Sequence, residues 1–261
     1  MYDLAAAETE LAGTVFAGKL HFSSVTGSTN TDALTAARNG AAHGSVFFAD
    51  EQTAGRGRGD HRWHSSAGDG LYVSAVMRPR LSTAQIPLIP LVAGLAATEA
   101  VRTVAGVAID LRWPNDLLIG PRKAGGILVE SKTEAAGLAF AVIGIGINVH
   151  QREFDPAHAT PATSLDIAVG RRVSRQALLV ALLKSLEREM VLLSKTETAN
   201  ETLARVEQAS TWLKGRRVRV HGPQECVGVT AGLDAQGFLL VRTDKGLVTV
   251  QTGGIRAAET E

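Results

Sequence analysis

The chain has 261 residues, enough for one large α/β unit or two modest domains with a substantial buried core. Hydrophobic residues make up 45% and charged residues 20%, and 27 Lys+Arg against 26 Asp+Glu leave a formal net charge of +1. That balance excludes a protein that works by coating nucleic acid or an anionic membrane, since either needs a large positive excess; any basic site must be local.

Residues 1–18 are rich in Ala, Gly and Thr with weak periodicity, and read as a loosely held leader. Asp3, Glu8 and Glu10 stand where a secretion signal would be basic and then apolar, so the expected location is cytoplasmic. Thr26 to Asn39 reads as a loop feeding a helix, with Ser28 and Thr29 as cap candidates and Gly40 at its end. Short runs rich in Val, Ile and Phe follow at Ser45 to Ala49, Leu71 to Met77, Gly126 to Val129 and Leu138 to Ile147, all of strand length. Pro90 to Val104 is a helix with proline in its first turn. The apolar stretch around it, Ile86 to Val101, holds prolines and a glutamate and is too short to cross about 30 Å of hydrocarbon, so no membrane partner is expected.

Ser174 to Ser194 is the strongest helix: Ser174 can cap it, and Leu178, Leu179, Leu182, Leu183, Leu186 and Met190 recur at helical spacing. A second helix runs from about Glu197 to Leu213. Beyond Lys214 the texture changes to short β pieces at Arg217 to His221, Val227 to Leu233, Gly237 to Val241 and Leu247 to Gln251, separated by Gly- or Asp-bearing turns. The expected domains are therefore an α/β body over 1–213 and a small closed β-barrel over 214–261. Cys226, the single cysteine, excludes an intrachain disulfide framework and a cysteine-based zinc finger. Trp113 and Trp212 read as packing residues.

Four segments carry chemistry. In Gln52 to Trp63, alternating Gly55, Gly57 and Gly59 forbid a stable helix, while Arg56 and Arg58 put bidentate forks on a pliant backbone. That combination suits a phosphate or carboxylate, and equally a solvated surface loop; it is neither a dinucleotide fingerprint nor a P-loop. In Arg112-Trp113-Pro114-Asn115-Asp116 the proline ends a strand and forces a turn, where Asp116 could hold Mg2+ or a basic loop, or simply close an Asx-type turn. Lys123 precedes Gly125, Gly126 and an apolar strand ending at Glu130; it could point at a ligand lying on bare backbone, or sit in a hairpin turn. Gly144 and Gly146 alternate with isoleucines before Asn148, leaving one strand face without side chains, open to a flat ligand or to close packing.

Taken in order, Gly-Ser-Thr-Asn at 27–30, the glycine-arginine loop, the Trp-Pro-Asn-Asp turn, Lys-Ala-Gly-Gly-Ile-Leu-Val-Glu, the Gly-Ile-Gly-Ile-Asn-Val strand and the small β tail resemble the biotin protein ligase family over nearly the whole chain. The loop, the turn and the Lys-x-x-Gly-Ile-Leu strand are in combination specific to that family. Lipoate and octanoate ligases share its catalytic fold but differ in the glycine-arginine loop. The resemblance implies a mixed-sheet α/β catalytic domain similar to class II aminoacyl-tRNA synthetases, followed by an SH3-like barrel. It implies an enzyme that joins biotin to AMP using ATP, with Mg2+ as cofactor, and passes biotin to a lysine of a biotin carboxyl carrier domain in a biotin-dependent carboxylase.

By motif position, Ser28, Thr29, Asn30 and Gln52 would bind biotin's polar head, and Gly55, Arg56 and Gly57 would close over it. Gly125, Gly126, Gly144 and Gly146 would form the floor. Lys123 and Arg58 would be catalytic, Lys123 touching both biotin and the α-phosphate. Arg58, Arg62, Trp63, Asn115, Asp116 and Asn148 would serve the nucleotide, with Asp116 on the metal. The chain departs from the family at Asp60 and His61, where another glycine and a basic residue are usual, and at Arg112, where lysine is commonest. It is expected to be the short type without an N-terminal helix-turn-helix domain, without a DNA partner, and a monomer or weak homodimer. A non-enzymatic nucleotide- or RNA-binding module is the alternative from another class; neutral charge and the lack of a basic, aromatic-studded strand pair count against it.

Overall fold

The apolar runs pair into one mixed sheet of seven strands in a computed structural model that describes residues 2–59, 61–135, 137–156, 159–195 and 199–258. The strands are β1 (Leu20–Thr26), β2 (Ser45–Gln52), β3 (Gly70–Met77), β4 (Asp110–Arg112), β5 (Asp116–Ile119), β6 (Arg122–Glu134) and β7 (Gly137–Asn148). Their spatial order is β1, β2, β3, β7, β6, β5, β4; β1 and β2 are parallel, and the remaining neighbours are antiparallel. Helices α1 (Leu4–Glu10), α2 (Thr29–Arg38), α3 (Ile89–Ala105), α4 (Leu165–Val169), α5 (Arg175–Leu193) and α6 (Ala199–Gln208) surround it.

Strand parity decides what each face carries. Ile143, Ile145 and Ile147 of β7 point into the main core shared with α3 and α5, while Val142 and Phe140 join a smaller core under Ala33, Leu34 and Ala37 of α2. α3 begins with Pro90 in its first turn and ends at Gly106, whose φ of 74° is open to glycine at no steric cost. Together with the 3-10 turn Thr83–Leu88, α3 is long and apolar enough to cross a membrane by length and composition, longer than the sequence suggested. It serves instead as the buried core helix. Ser174 caps α5 as expected, its Oγ accepting from the Ala177 amide at 3.1 Å.

Residues 2–18 are not a loose leader. Asp3 caps α1, and Ala7, Leu11 and Phe16 are fully buried in the main core. Tyr2 packs edge-on against Phe22 and Phe48 with centroids 5.6 and 5.1 Å away, under the Arg175 guanidinium. Burial pushes its phenol pKa up to about 12. The apolar residues lie too far apart in a small-residue background to show periodicity. β1 carries no strand signature in the sequence for a related reason: its mixed polar sequence becomes a strand through its parallel ladder with β2.

The second sheet is antiparallel and fits an SH3-like domain: β8 (Lys214–His221), β9 (Cys226–Leu233), β10 (Leu239–Thr243), β11 (Gly246–Val250) and β12 (Gly254–Ala257), ordered β11, β10, β9, β8, β12. No ladder joins β11 to β12 among the described residues. The Gln224 side chain reaches across, donating to Thr249 O and accepting from the Gln251 amide. The last strand, β12, was absent from the sequence reading, and the helix expected from Glu197 ends at Gln208; Glu197 itself lies outside the described residues. After α6 the chain is pinned instead, Thr211 donating twice to Asp110.

The two sheets share a buried seam. Trp113 donates from Nε1 to Gly237 O at 3.2 Å, and Trp212 lies under Arg216 and beside Arg112, both rings 5% exposed. If residues 2–18 are core, Phe16→Ala should cost about 3–5 kcal/mol, the range for a buried phenylalanine. Chemical denaturation measures it, and a loss below about 1 kcal/mol would restore the loose leader.

Candidate active site

A cleft of about 1140 Å3 opens on the face of the sheet that carries α2, larger than the roughly 300–1000 Å3 usual for a single small ligand. Its floor is the paired glycine-bearing stretch of β6 and β7, where Gly126 faces Gly146 and Leu128 faces Gly144. A Cβ on Gly146 would run into the Trp63 indole, and one on Gly144 into Asn30 Oδ1. Bare backbone is therefore what lets Trp63 and α2 come down onto the sheet. Gly125 does not share this floor: it pairs with Ile147, and its missing Cβ points at Leu117 on the opposite face. Period-two alternation makes adjacent glycines face opposite ways.

The glycine-arginine loop forms a narrow hairpin over the cleft. Trp63 N donates to Gly55 O at 2.9 Å and Gly57 N to His61 O at 2.7 Å, while Gly59 turns the tip with φ of 59°. Gly55 is buried where a Cβ would strike Trp63 O and Ser65 Oγ. His61 lies in this hairpin; Asp60 lies outside the described residues. Arg62 is exposed on the cleft rim, and Trp63 lies across the floor glycines with Lys123 Nζ 5.7 Å from its ring centre.

Beneath the loop runs a chain of hydrogen bonds. Thr29 donates from N and Oγ1 to Gln52 Oε1 at 2.9 and 3.1 Å, and Gln52 Nε2 donates to Ser65 Oγ at 2.8 Å. Thr29 Oγ1 also meets Ser74 Oγ, which donates to Asn30 Oδ1. Asn30 Nδ2 then donates to Glu130 at 2.6 Å, and Glu130 receives both Nη groups of Arg56 at 2.9 Å each. Asn30 is thus on the cleft wall with both ends of its amide engaged.

A cationic cluster stands at the other end. Asp116 Oδ1 lies 2.5 Å from Lys123 Nζ, and its Oδ2 takes Arg112 Nη2 at 2.6 Å and Nε at 3.1 Å. Burial opposes ionisation of this carboxyl, but Lys123 and Arg112 outweigh it and hold its pKa below the usual range. Arg112 keeps a geometry of its own by donating to Thr160 Oγ1 as well. The Lys123 backbone is fixed on both sides, its N donating to Pro161 O and its O accepting from Thr163 N.

Arg58 crosses to the second sheet, donating to Gly253 O at 2.7 Å and Thr252 Oγ1 at 3.5 Å. Burial lowers the Arg58 pKa, opposed by the Asp116 charge, and a guanidinium stays protonated regardless. Asn115 is a brace, exchanging bonds with Ile127 through Nδ2 to O and O from N. Asn148 likewise donates to Thr163 O and is buried.

Magnesium does not fit Asp116 in this arrangement, because both oxygens are covered by cations. Among the described residues no group of three His, Cys, Asp or Glu converges on a metal position. What the cleft does present is unfilled hydrogen-bonding capacity: Ser28 Oγ, Trp63 Nε1 and His221 Nε2 are buried without partners. Such orphans are rare in native folds; of the four among the described residues Tyr2 Oη lies in the core, and these three line the cleft, where a ligand or water can supply the bonds.

Sequence reasoning missed Ser65, Ser74, Glu130 and the rim from the second sheet, which includes His221 and Arg256. Glu130 was legible in principle: Gly126, Leu128 and Glu130 share one face of β6 by parity. The rim was not, because nothing local marks where β8 and β12 would dock.

A model of the biotin/lipoate A/B protein ligase family matches residues 22–148, and one of the biotin protein ligase C-terminal domain matches residues 214–255. The fold and cleft therefore define the class of protein ligases that act on a small carboxylate. The chain is 34% identical over 243 residues to the biotin–[acetyl-CoA-carboxylase] ligase of Mycobacterium tuberculosis, covering 88% of this chain and 85% of that protein. It is 32% identical over 239 residues to the bifunctional ligase/repressor BirA of Bacillus subtilis, covering 90% and 73%. A biotin protein ligase from Aquifex aeolicus, solved with biotin and ATP, superposes with a TM-score of 0.77 at 27% identity, covering 92% of this chain and 98% of the other. The chain belongs to the biotin protein ligase family.

The Asp116 arrangement has a pH signature. A carboxyl with depressed folded-state pKa adds stability that is present above its ordinary value, about 3.9, and is lost as pH falls through the lower folded value. Asp116→Asn should therefore flatten the loss of stability on acidification below about pH 4, and lower stability at pH 7 by about 3 kcal/mol by leaving two cations unpaired. Denaturation midpoints from pH 7 to pH 2 read both effects; parallel curves for the two proteins would contradict the assignment.

Proposed function

We propose that the protein activates biotin with ATP to biotinyl-5'-AMP and transfers biotin to a lysine of a carboxylase carrier domain. The observation that carries this reading is the juxtaposition in one cleft of a polar pocket with an orphan hydroxyl, a bare glycine floor and a fixed cationic cluster. Relatives described as biotin–[acetyl-CoA-carboxylase] ligases and a neighbour holding biotin and ATP support it. The match of residues 214–255 to a biotin protein ligase domain favours biotin over lipoate or octanoate.

In the first step an oxygen of the biotin carboxylate attacks the α-phosphorus, and the bond from that phosphorus to the bridging oxygen breaks, releasing pyrophosphate. Both reactants are anions, so no base is needed; the obstacle is their repulsion. Lys123, held by Asp116 at the edge of the bare floor, meets the carboxylate and the phosphate together, and its fixed charge offsets the charge that builds there. Arg58, one bond away from the second sheet, faces the phosphates. Ser28, Thr29 and Gln52 hold the polar head of biotin, and alignment of the reacting atoms adds up to about 7–11 kcal/mol in principle. The hairpin of residues 55–62 keeps water from the mixed anhydride. In the second step the acceptor amine, in its neutral form, attacks the acyl carbon, AMP leaves with the bonding electrons, and the proton shed by the nitrogen passes to solvent.

Incubation with ATP, biotin and a biotin carboxyl carrier domain, read by the intact mass of the carrier, tests this directly: one biotinyl mass increment is expected, and no acyl increment with lipoate or octanoate in place of biotin. Lys123→Ala should abolish biotin-dependent exchange of pyrophosphate into ATP; exchange at the wild-type rate would remove Lys123 from the chemistry. Biotin with ATP should protect residues 55–62 from limited proteolysis, and equal cleavage with and without ligand would reject the lid role.

A further inference from the structure

Glu130 takes no part in the chemistry above, yet it receives three hydrogen bonds at the cleft wall, as many as Asp116: two from Arg56 and one from Asn30. It stands on β6, inside the seven-stranded sheet, whereas Arg56 belongs to the hairpin over the cleft. The Asn30 end is buried and continues through Ser74, Thr29 and Gln52 to Ser65, which donates to Trp63 O at 3.3 Å. Both ends of the hairpin are thus tied to one circuit, Arg56 through Glu130 and Trp63 through Ser65.

We propose that Glu130 is a positioning residue that sets how the glycine-arginine hairpin sits over the cleft, acting through the bidentate grip on Arg56. A two-point fork fixes the plane of the guanidinium as well as its distance, which a single hydrogen bond to a mobile loop cannot do. The Arg56 and Glu130 side chains are 43% and 26% exposed, so solvent screens their attraction and the pair adds little to global stability. Its effect falls on the hairpin: how long it stays down, and so how long an activated acyl group stays bound. This consequence rests on the proposed function; the hairpin geometry does not.

The test uses the full chain with Glu130→Gln, Glu130→Asp, Arg56→Gln and the Glu130→Gln, Arg56→Gln pair. Two readouts separate the claims. Tryptic cleavage after Arg58 without ligand needs no activity, and should be faster in Glu130→Gln by about three- to tenfold while the thermal midpoint stays near that of the parent. Escape of biotinyl-AMP, formed on the enzyme from biotin and ATP, should rise by a similar factor, with the KM for ATP little changed. Glu130→Asp, which keeps the charge, should recover part of each effect. The double variant should be no worse than the worse single one, because the two side chains act as a unit.

Wild-type cleavage and escape rates in Glu130→Gln would overturn the proposal, as would losses that multiply in the double variant. If Glu130→Gln does not fold, Glu130→Asp against the parent decides on the same readouts. Failure of the parent to form any adenylate would reject the proposed function alone, with the cleavage comparison still deciding the role of Glu130.

Discussion

The site depends on a strip of backbone without side chains. Gly126, Gly144 and Gly146 leave one face of the β6–β7 ladder bare, and both the Trp63 indole and the α2 residue Asn30 occupy the space a Cβ would take. Any side chain there would lift the hairpin off the sheet and push the start of α2 away from it. The polar circuit beneath the cleft could not then close, because its bonds span α2, β2, β3 and β6 and tolerate shifts of only a few tenths of an ångström. Trp63 also puts a π-face near the Lys123 ammonium, so the bare strip reaches into the charge distribution of the site.

Two kinds of polar contact divide the cleft. At the α2 end neutral hydroxyls and amides form a directional chain, closed on its outer side by the mutually neutralising Glu130–Arg56 pair, and suited to matching the donors and acceptors of an uncharged ring system. At the β5 end they are Arg112, Asp116 and Lys123, where one carboxylate holds two cations in place and leaves a local positive excess for an anion. Arg58 extends that excess to the seam with the second sheet. The net charge of +1 conceals this arrangement, since the positive groups are collected at one site and balanced elsewhere. A single small polyanion is the partner such a distribution suits, in line with a family whose relatives are solved with ATP.

The second sheet is part of the same construction. Trp113 sits at the turn that presents Asn115 and Asp116 and donates to Gly237 in the second sheet, so the turn is braced from outside the catalytic body. Arg58 is held from the same side by Gly253. Loss of the tail would thus remove a support from the turn and a partner from the loop, besides the apolar contacts of the seam.

The sequence by itself determined the elements whose signal is local. Leucines at helical spacing made α5 plain, Pro90 marked the start of α3, and the alternation of glycine and isoleucine marked a strand with one bare face, because periodicities of 3.6 and 2 follow directly from backbone geometry. The motif order also identified the family. Tertiary structure alone decided what depends on distant partners: that Phe16 and Leu11 are core, that β1 exists through its ladder with β2, and that the site takes a rim from β8 and β12. It decided which of two adjacent glycines faces the cleft, Gly126 and not Gly125, because parity is readable in sequence but its absolute sense is set by what packs on each face. It also gave Asp116 two cations instead of a metal, and gave Glu130 the Arg56 fork, since neither partner is encoded by spacing along the chain.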